Sequence, residues 1–254
     1  MLDEGKYLYC IIEEPSHRTF GPNGIGKRGD EIHTLCYRDL ACVISSTPMT
    51  KYVISRHNLM AHERVIEEVM KDYTVLPVRF CTIASSIDEV RSLLMKRYQE
   101  FKNLLRSMDN KVELGLKVFW LNMDKIFKEI GASEREVKVL KEKIQKNNKD
   151  VSLNERIALG EKVKKALDMR READAEEILQ VLKPKCINLR LNETVGDNMV
   201  LNSAFLVDRM QEREFDDLVD EVTEKYKGSL KFKYVGPAPP FNFVNLVIRW
   251  GAEE

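Results

Sequence analysis

The sequence predicts an α+β protein: two mixed α/β domains joined by a helical section, with a ferredoxin-like C-terminal domain. Three observations carry this expectation. Strand-like runs rich in β-branched and aromatic residues occur at both ends of the chain. Segments of helical period lie among them. The middle, from about Asp124 to Leu182, reads as helix almost throughout. With 254 residues, 43% of them hydrophobic, there is enough apolar material for two cores. The expected divisions are 1–122 for an N-terminal α+β domain, 123–184 for a helical connecting section, and 185–254 for the C-terminal domain packed with the preceding helices.

The elements follow in order. KYLYCIIEE (Lys6–Glu14) is a strand. A glycine-rich loop follows, then two short strands, Glu31–Tyr37 and Leu40–Ser46, with Arg38-Asp39 as the hairpin turn. From Arg56 to Tyr73 the period becomes helical. Leu59, Ile66, Val69, Met70 and Tyr73 share one face, and Glu63, Arg64, Glu67, Glu68 and Lys71 lie opposite. TVLPVRFCT reads as one strand, and Ser86 caps a second helix with the stripe Val90, Leu94, Phe101, Leu105 and Met108. Val112–Leu121 closes this half as an alternating strand.

In the middle section Ile126, Ile130, Val137, Leu140 and Ile144 form a thin apolar stripe, which the run Gln145–Asp150 breaks. Ser152 and Glu155 make a capping box for a long helix that Pro184 ends. Then CINLRLNETV and MVLNSAFLVD form a hairpin around Gly196-Asp197-Asn198. A helix carries Phe215, Leu218, Val219, Val222 and Tyr226 inward and stops at Gly228. The strands KFKYV and FVNLVIRW finally flank the loop GPAPPFN.

Composition narrows the function. Lys+Arg and Asp+Glu number 41 each, so the chain lacks the basic surplus that wholesale nucleic-acid binding requires. No apolar run approaches the roughly 20 residues of a membrane span. The opening MLDEGKYLYCIIEE reads as the start of a strand rather than a signal peptide. The five cysteines contain no C-x-x-C pair, and four sit in apolar strand-like runs, which suits free thiols in a reducing compartment.

GPNGIGKRGD (Gly21–Asp30) tests for nucleotide hydrolysis. Gly21, Gly26 and Lys27 match a phosphate-binding loop, but Arg28 replaces the Ser or Thr that would ligate Mg²⁺. A strand pattern follows where a helix N-terminus should face the phosphate. The loop is therefore expected to join two strands. Of the four histidines, His57 and His62 are five apart and face differently, so they do not form a metal pair. His62 lies on the apolar stripe as a hydrogen-bonded core histidine. No catalytic motif, metal site or cofactor site emerges.

The segment YVGPAPPFNFVN (Tyr234–Asn245) is stiff and aromatic. It serves as a rigid corner or, in the sharper reading, as an exposed platform for a protein partner, because rigid aromatics lose little entropy on binding. Together with YLYCI, VLPVRFCT, ELGLKVFW and MVLNSAFLVDR, in the same order, it resembles the recurring blocks of the gas vesicle protein F/L family across nearly the whole chain. Cys10 and Cys81 stand where that family tends to have glycine. A positive φ at either place would strain the cysteine.

The resemblance implies a non-enzymatic accessory protein, without cofactor, of the gas-filled shells that give some microbes buoyancy. It would work in the cytoplasm and at the gas vesicle. Its partners would be the small hydrophobic shell protein and other accessory proteins, and it would act transiently or as a minor structural component. The protein-binding candidates are Tyr234, Pro237, Pro240, Phe241 and Phe243 with Arg79 and Phe80. The alternative is a nucleotide-dependent assembly factor using the degenerate Gly21–Lys27 loop.

Overall fold

The structure, a computed structural model, describes residues 4–26, 28–133, 137–139 and 153–250. The chain divides into two compact units: Met1–Glu113 with Asp208–Met210 and Gly236–Glu254, and Leu114–Val207 with Gln211–Val235. The helical section and the second sheet fall in one unit, and the residues after Val235 group with the N-terminal part.

The first unit is built on β1 (Glu4–Glu13). β1 pairs antiparallel with β3 (Leu40–Pro48), from Glu4 opposite Pro48 to Glu13 opposite Leu40, with a register shift between Leu8 and Cys10. β2 (His33–Tyr37) continues the sheet beyond β3. Arg38, with φ of 57°, makes the tight hairpin turn expected at Arg38-Asp39. Residues 7–12 of β1 are fully buried. Helix α1 (Arg56–Met70) sets Val65, Ile66 and Val69 against Tyr7, Tyr9 and Ile12, while α2 (Ile87–Lys96) and α3 (Tyr98–Met108) also pack on the sheet. A strand covered by helices has no polar face, hence the near-continuous apolar run in its sequence.

Local chemistry fixes the helix ends. Ser55 accepts a hydrogen bond from the Asn58 amide, and Ser86 accepts one from Glu89, as its cap position predicts. The helix expected to run to Met108 is broken at Arg97, whose ψ of 21° leaves the helical region. Lys102 ties α3 to the hairpin by bridging Glu13 and Asp39, and Tyr98 donates to the same Asp39.

TVLPVRFCT is not one strand. β4 is only Leu76–Pro77 and β5 only Ile83–Ala84; both pair with β1, at different ends. Between them the chain leaves the ladder. Pro77 has no amide to donate, and Cys81 takes φ of 64°. The expected strain at Cys81 is present, whereas Cys10 is not among the residues with positive φ and sits at the register shift. Cys10 and Cys42 are buried; Cys36, Cys81 and Cys186 are half-buried, so fewer cysteines serve as core than their strand-like surroundings suggest.

The second unit follows β6 (Lys111–Trp120), α4 (Met123–Ser133), α5 (Leu153–Leu182), β7 (Asn188–Leu191), β8 (Met199–Asp208), α6 (Glu212–Lys225) and β9 (Leu230–Ala238). Its sheet runs β7-β8-β6-β9. Counting β6 as the first strand gives the element order of a split β-α-β-β-α-β unit. Phe205 of β8 and Phe215 of α6 meet with ring centroids 5.0 Å apart at its core. Pro184 lies in a 3₁₀ turn that ends α5, and Gly228, at φ of 88°, ends α6. Leu140, Ile144, the Gln145–Asp150 break and Ser152 lie outside the described residues.

FVNLVIRW was expected to be the last strand and is not one. Its burial alternates, with Val244 and Leu246 buried and Asn245 and Val247 exposed, which gave it a strand pattern. Among the described residues it has no ladder partner, so the segment lies as a strap outside both sheets. Polar groups in it and just before it are bound elsewhere: Asn242, the residue before it, by Glu113, Asn245 by Arg79, and the Val247 carbonyl by Arg97.

Candidate protein-binding site

The site grows from His62 on the inner face of α1. The ring is buried, and both nitrogens are used: Nδ1 lies 3.1 Å from the Tyr7 hydroxyl and Nε2 lies 3.0 Å from the Val78 carbonyl. A carbonyl only accepts, so Nε2 carries the proton and Nδ1 accepts from Tyr7. The Tyr7 hydroxyl in turn accepts from the Cys81 amide at 2.9 Å. Burial is the main reason that His62 is held neutral, with its pKa down at about 4. This is the hydrogen-bonded core histidine that its place on the stripe predicts.

Around it stand aromatic rings from three other segments. Tyr9 stacks at 5.8 Å, Phe80 meets the imidazole edge-on at 5.9 Å, and Phe241 approaches to 6.4 Å. Phe80 is half-buried, whereas Phe241 stays 39% exposed. The structure thus brings Phe80 and Phe241 together over His62, although they lie far apart in sequence. Arg79 joins them, donating to the Asn245 side chain at 2.6 Å.

The loop is fixed by a residue that the sequence did not single out. Glu113 accepts from the Asn242 amide at 2.8 Å and from its side chain at 2.5 Å. Burial raises the Glu113 carboxyl above its ordinary value despite these bonds. Its one signal in sequence was a carboxylate between apolar neighbours in V-E-L, on the face where alternation placed a solvent residue. The amides of Phe243 and Val244 both return to the Pro240 carbonyl, at 3.1 and 2.9 Å, so the turn is tight. Pro240 is buried, Phe243 half-buried and Pro237 exposed. Tyr234 belongs to the other unit, where its hydroxyl donates to Asp216 of α6 at 2.6 Å.

The glycine loop is shaped for another task. The Gly24 amide donates to the Asp30 carbonyl at 3.1 Å, and the Ile25 amide donates to the Tyr9 hydroxyl at 2.8 Å. Ile25 itself is fully buried in the same core as Tyr9. Two amides of the loop, those of Gly24 and Ile25, are thus already bonded, and the chain continues to β2 rather than to a helix; Lys27 lies outside the described residues. Truncating this plug, Ile25→Ala, is expected to lower stability by about 2–5 kcal/mol in urea unfolding, as for other buried aliphatics. Among the described residues no group of three His, Cys, Asp or Glu is placed to hold a metal.

Two mixed α/β units, one of them carrying a tight proline-containing turn that sets the partly exposed Phe241 ring beside a buried histidine, define an α+β protein. The chain belongs to the gas vesicle synthesis protein GvpL/GvpF family, whose sequence model matches residues 5–245. It is 28% identical to gas vesicle protein F of Microcystis aeruginosa, over 96% of this chain and 99% of that one. Against gas vesicle protein F of Dolichospermum flosaquae it is 26% identical, covering 94% and 97%. The crystal structure of GvpF from Anabaena sp. PCC7120 superposes with a TM-score of 0.81 over 96% of this chain and all (100%) of that one, at 24% identity. The family assignment makes the chain a gas vesicle protein, and among the described residues no helix is long and apolar enough to cross a membrane.

Proposed function

We propose that this chain is a non-enzymatic accessory protein of gas vesicle assembly that binds the small hydrophobic shell protein, together with other accessory proteins, in the cytoplasm. The observation that carries the reading is the turn around Phe241, which is held by Glu113 and backed by His62 and yet keeps its phenyl ring exposed. An aromatic held in place before binding loses little freedom on association. A shell subunit must bury apolar surface and is prone to aggregate until it does. A turn of this kind covers such surface while the many charged residues of the chain, 32% of its length, keep the rest of its own surface hydrated.

The test is co-expression with the shell protein and affinity capture of this chain, in wild-type, Phe241→Ala and Lys27→Ala forms. The expected result is retention by wild type and Lys27→Ala, with at least a tenfold loss for Phe241→Ala. Loss with Lys27→Ala alone would favour the nucleotide-dependent alternative. Recovery of the chain from washed vesicles would mark it as a minor structural component rather than a transient one.

A further inference from the structure

We infer that the segment between β3 and α1 is a second docking surface, preformed for a partner helix whose aliphatic stripe is flanked by carboxylates. Val53 and Ile54 are adjacent β-branched residues, 76% and 78% exposed. Met49, Leu59 and Met60, within a few residues on either side, are exposed as well. Leu59 belonged to the apolar stripe expected to face the core, and the structure turns it outward. Single exposed aliphatics are ordinary; five within twelve positions of one segment are a local concentration of apolar surface.

The segment is held in shape rather than loose. The Tyr52 hydroxyl bonds that of Thr47 at 2.7 Å, and the Tyr52 amide donates to the Cys81 sulfur at 3.3 Å. The Asn58 side chain donates to the Val53 carbonyl at 2.9 Å, and the Ser55 cap holds Asn58 from the other side. Cys81 therefore supplies a side-chain acceptor that ties this segment to the chain after β4. Ordering that precedes binding removes a large part of the entropy lost on association.

Charge says which partner fits. No Asp or Glu stands between Leu40 and His62, in a chain that carries 41 of them. Glu63 is the first, on α1 beyond His62. Lys51 and Arg56 bracket Val53-Ile54, both exposed and neither in an ion pair with a described residue. An apolar centre with a basic rim is complementary to an aliphatic stripe with acidic flanks. Two cations and short branched side chains, with no aromatic among the exposed residues, favour a protein partner over a lipid surface, which draws on polybasic clusters and deep-inserting rings.

The test uses the purified full chain and two synthetic helical peptides with one Leu/Val stripe, flanked by Glu in one and by Lys in the other. Binding is followed by fluorescence anisotropy. Wild type is expected to prefer the Glu-flanked peptide at least tenfold. Val53→Ser with Ile54→Ser should weaken both peptides tenfold or more, and Lys51→Glu with Arg56→Glu should reverse the preference. Because all four side chains are exposed, unchanged urea midpoints will show that the variants fold. Equal affinity for the two peptides, no binding of either, or indifference to the substitutions would overturn the inference. So would tighter binding to phosphatidylserine vesicles lost by the same substitutions, which would make the surface a membrane face. Peptide binding and shell-protein retention are separate assays, so the failure of this surface and of the Phe241 reading are distinguishable.

Discussion

Lowering the pH from 7 to 4.5 is expected to remove about 2 kcal/mol of folding stability through His62 alone. In the unfolded chain the imidazole titrates near its ordinary 6.5, and in the fold near 4, because burial disfavours the charged form. Between those values the unfolded state binds the additional proton, so stability is full above about 6.5 and falls as pH drops toward 4. The groups facing the ring are Tyr7, Tyr9, Phe80, Phe241 and the Val78 carbonyl, and none of them is charged in this range. Glu14 acts in the same direction at lower pH. Hydrogen bonds from Ser16 and Tyr73 hold its carboxyl at about 2, so its contribution is lost between about 4.5 and 2. Glu63 and Glu113 act in the opposite direction, since burial raises both. The diagnostic is therefore a comparison: urea midpoints of wild type and His62→Gln at pH 7 and 4.5. The variant should be less stable at pH 7 and show a flatter dependence. Parallel slopes would remove His62 as the cause.

The second large effect belongs to Glu113. Glu113→Ala deletes the acceptor for both the amide and the side chain of Asn242. Each bond contributes about 1 kcal/mol net, and losing the buried carboxylate offsets part of this, so global stability is expected to fall by about 1–2 kcal/mol. The local effect is larger in proportion. Amide exchange at residues 242–246 should accelerate at least tenfold, while β1 and β3 stay protected, because the strap has no ladder to hold it once the latch is gone. Exchange that rises evenly over the whole chain would mean Glu113 supports the core rather than the strap.

Much of the fold was legible because its signals are local. The β1 run, the hairpin at Arg38-Asp39, the Ser86 cap and the end of α6 at Gly228 each depend on neighbouring residues. The strap shows where local reading stops. Its alternating pattern is that of a strand, and only a partner strand, a long-range feature, decides between ladder and strap. The break in TVLPVRFCT was written in Pro77, which has no amide to donate, and it falls where Cys81 takes a positive φ, but strand propensity on both sides concealed it. In the candidate site, Phe241 was readable as part of an unusual loop, whereas Arg79 and Phe80 were named only through the family resemblance. Their meeting over His62 was not readable, since contacts over such separations leave no periodic trace. Glu113 was hidden by alternation itself, which assigns a carboxylate to the solvent face unless something buries it.

The central claim is that the turn around Phe241 meets the shell protein. The most direct measurement is amide hydrogen exchange on this chain, alone and in complex with co-expressed shell protein. Slower exchange at residues 241–247 and at 79–82, with β7 and α6 unchanged, is the result this account predicts. Unchanged exchange at 241–247 in a complex that demonstrably forms would contradict it.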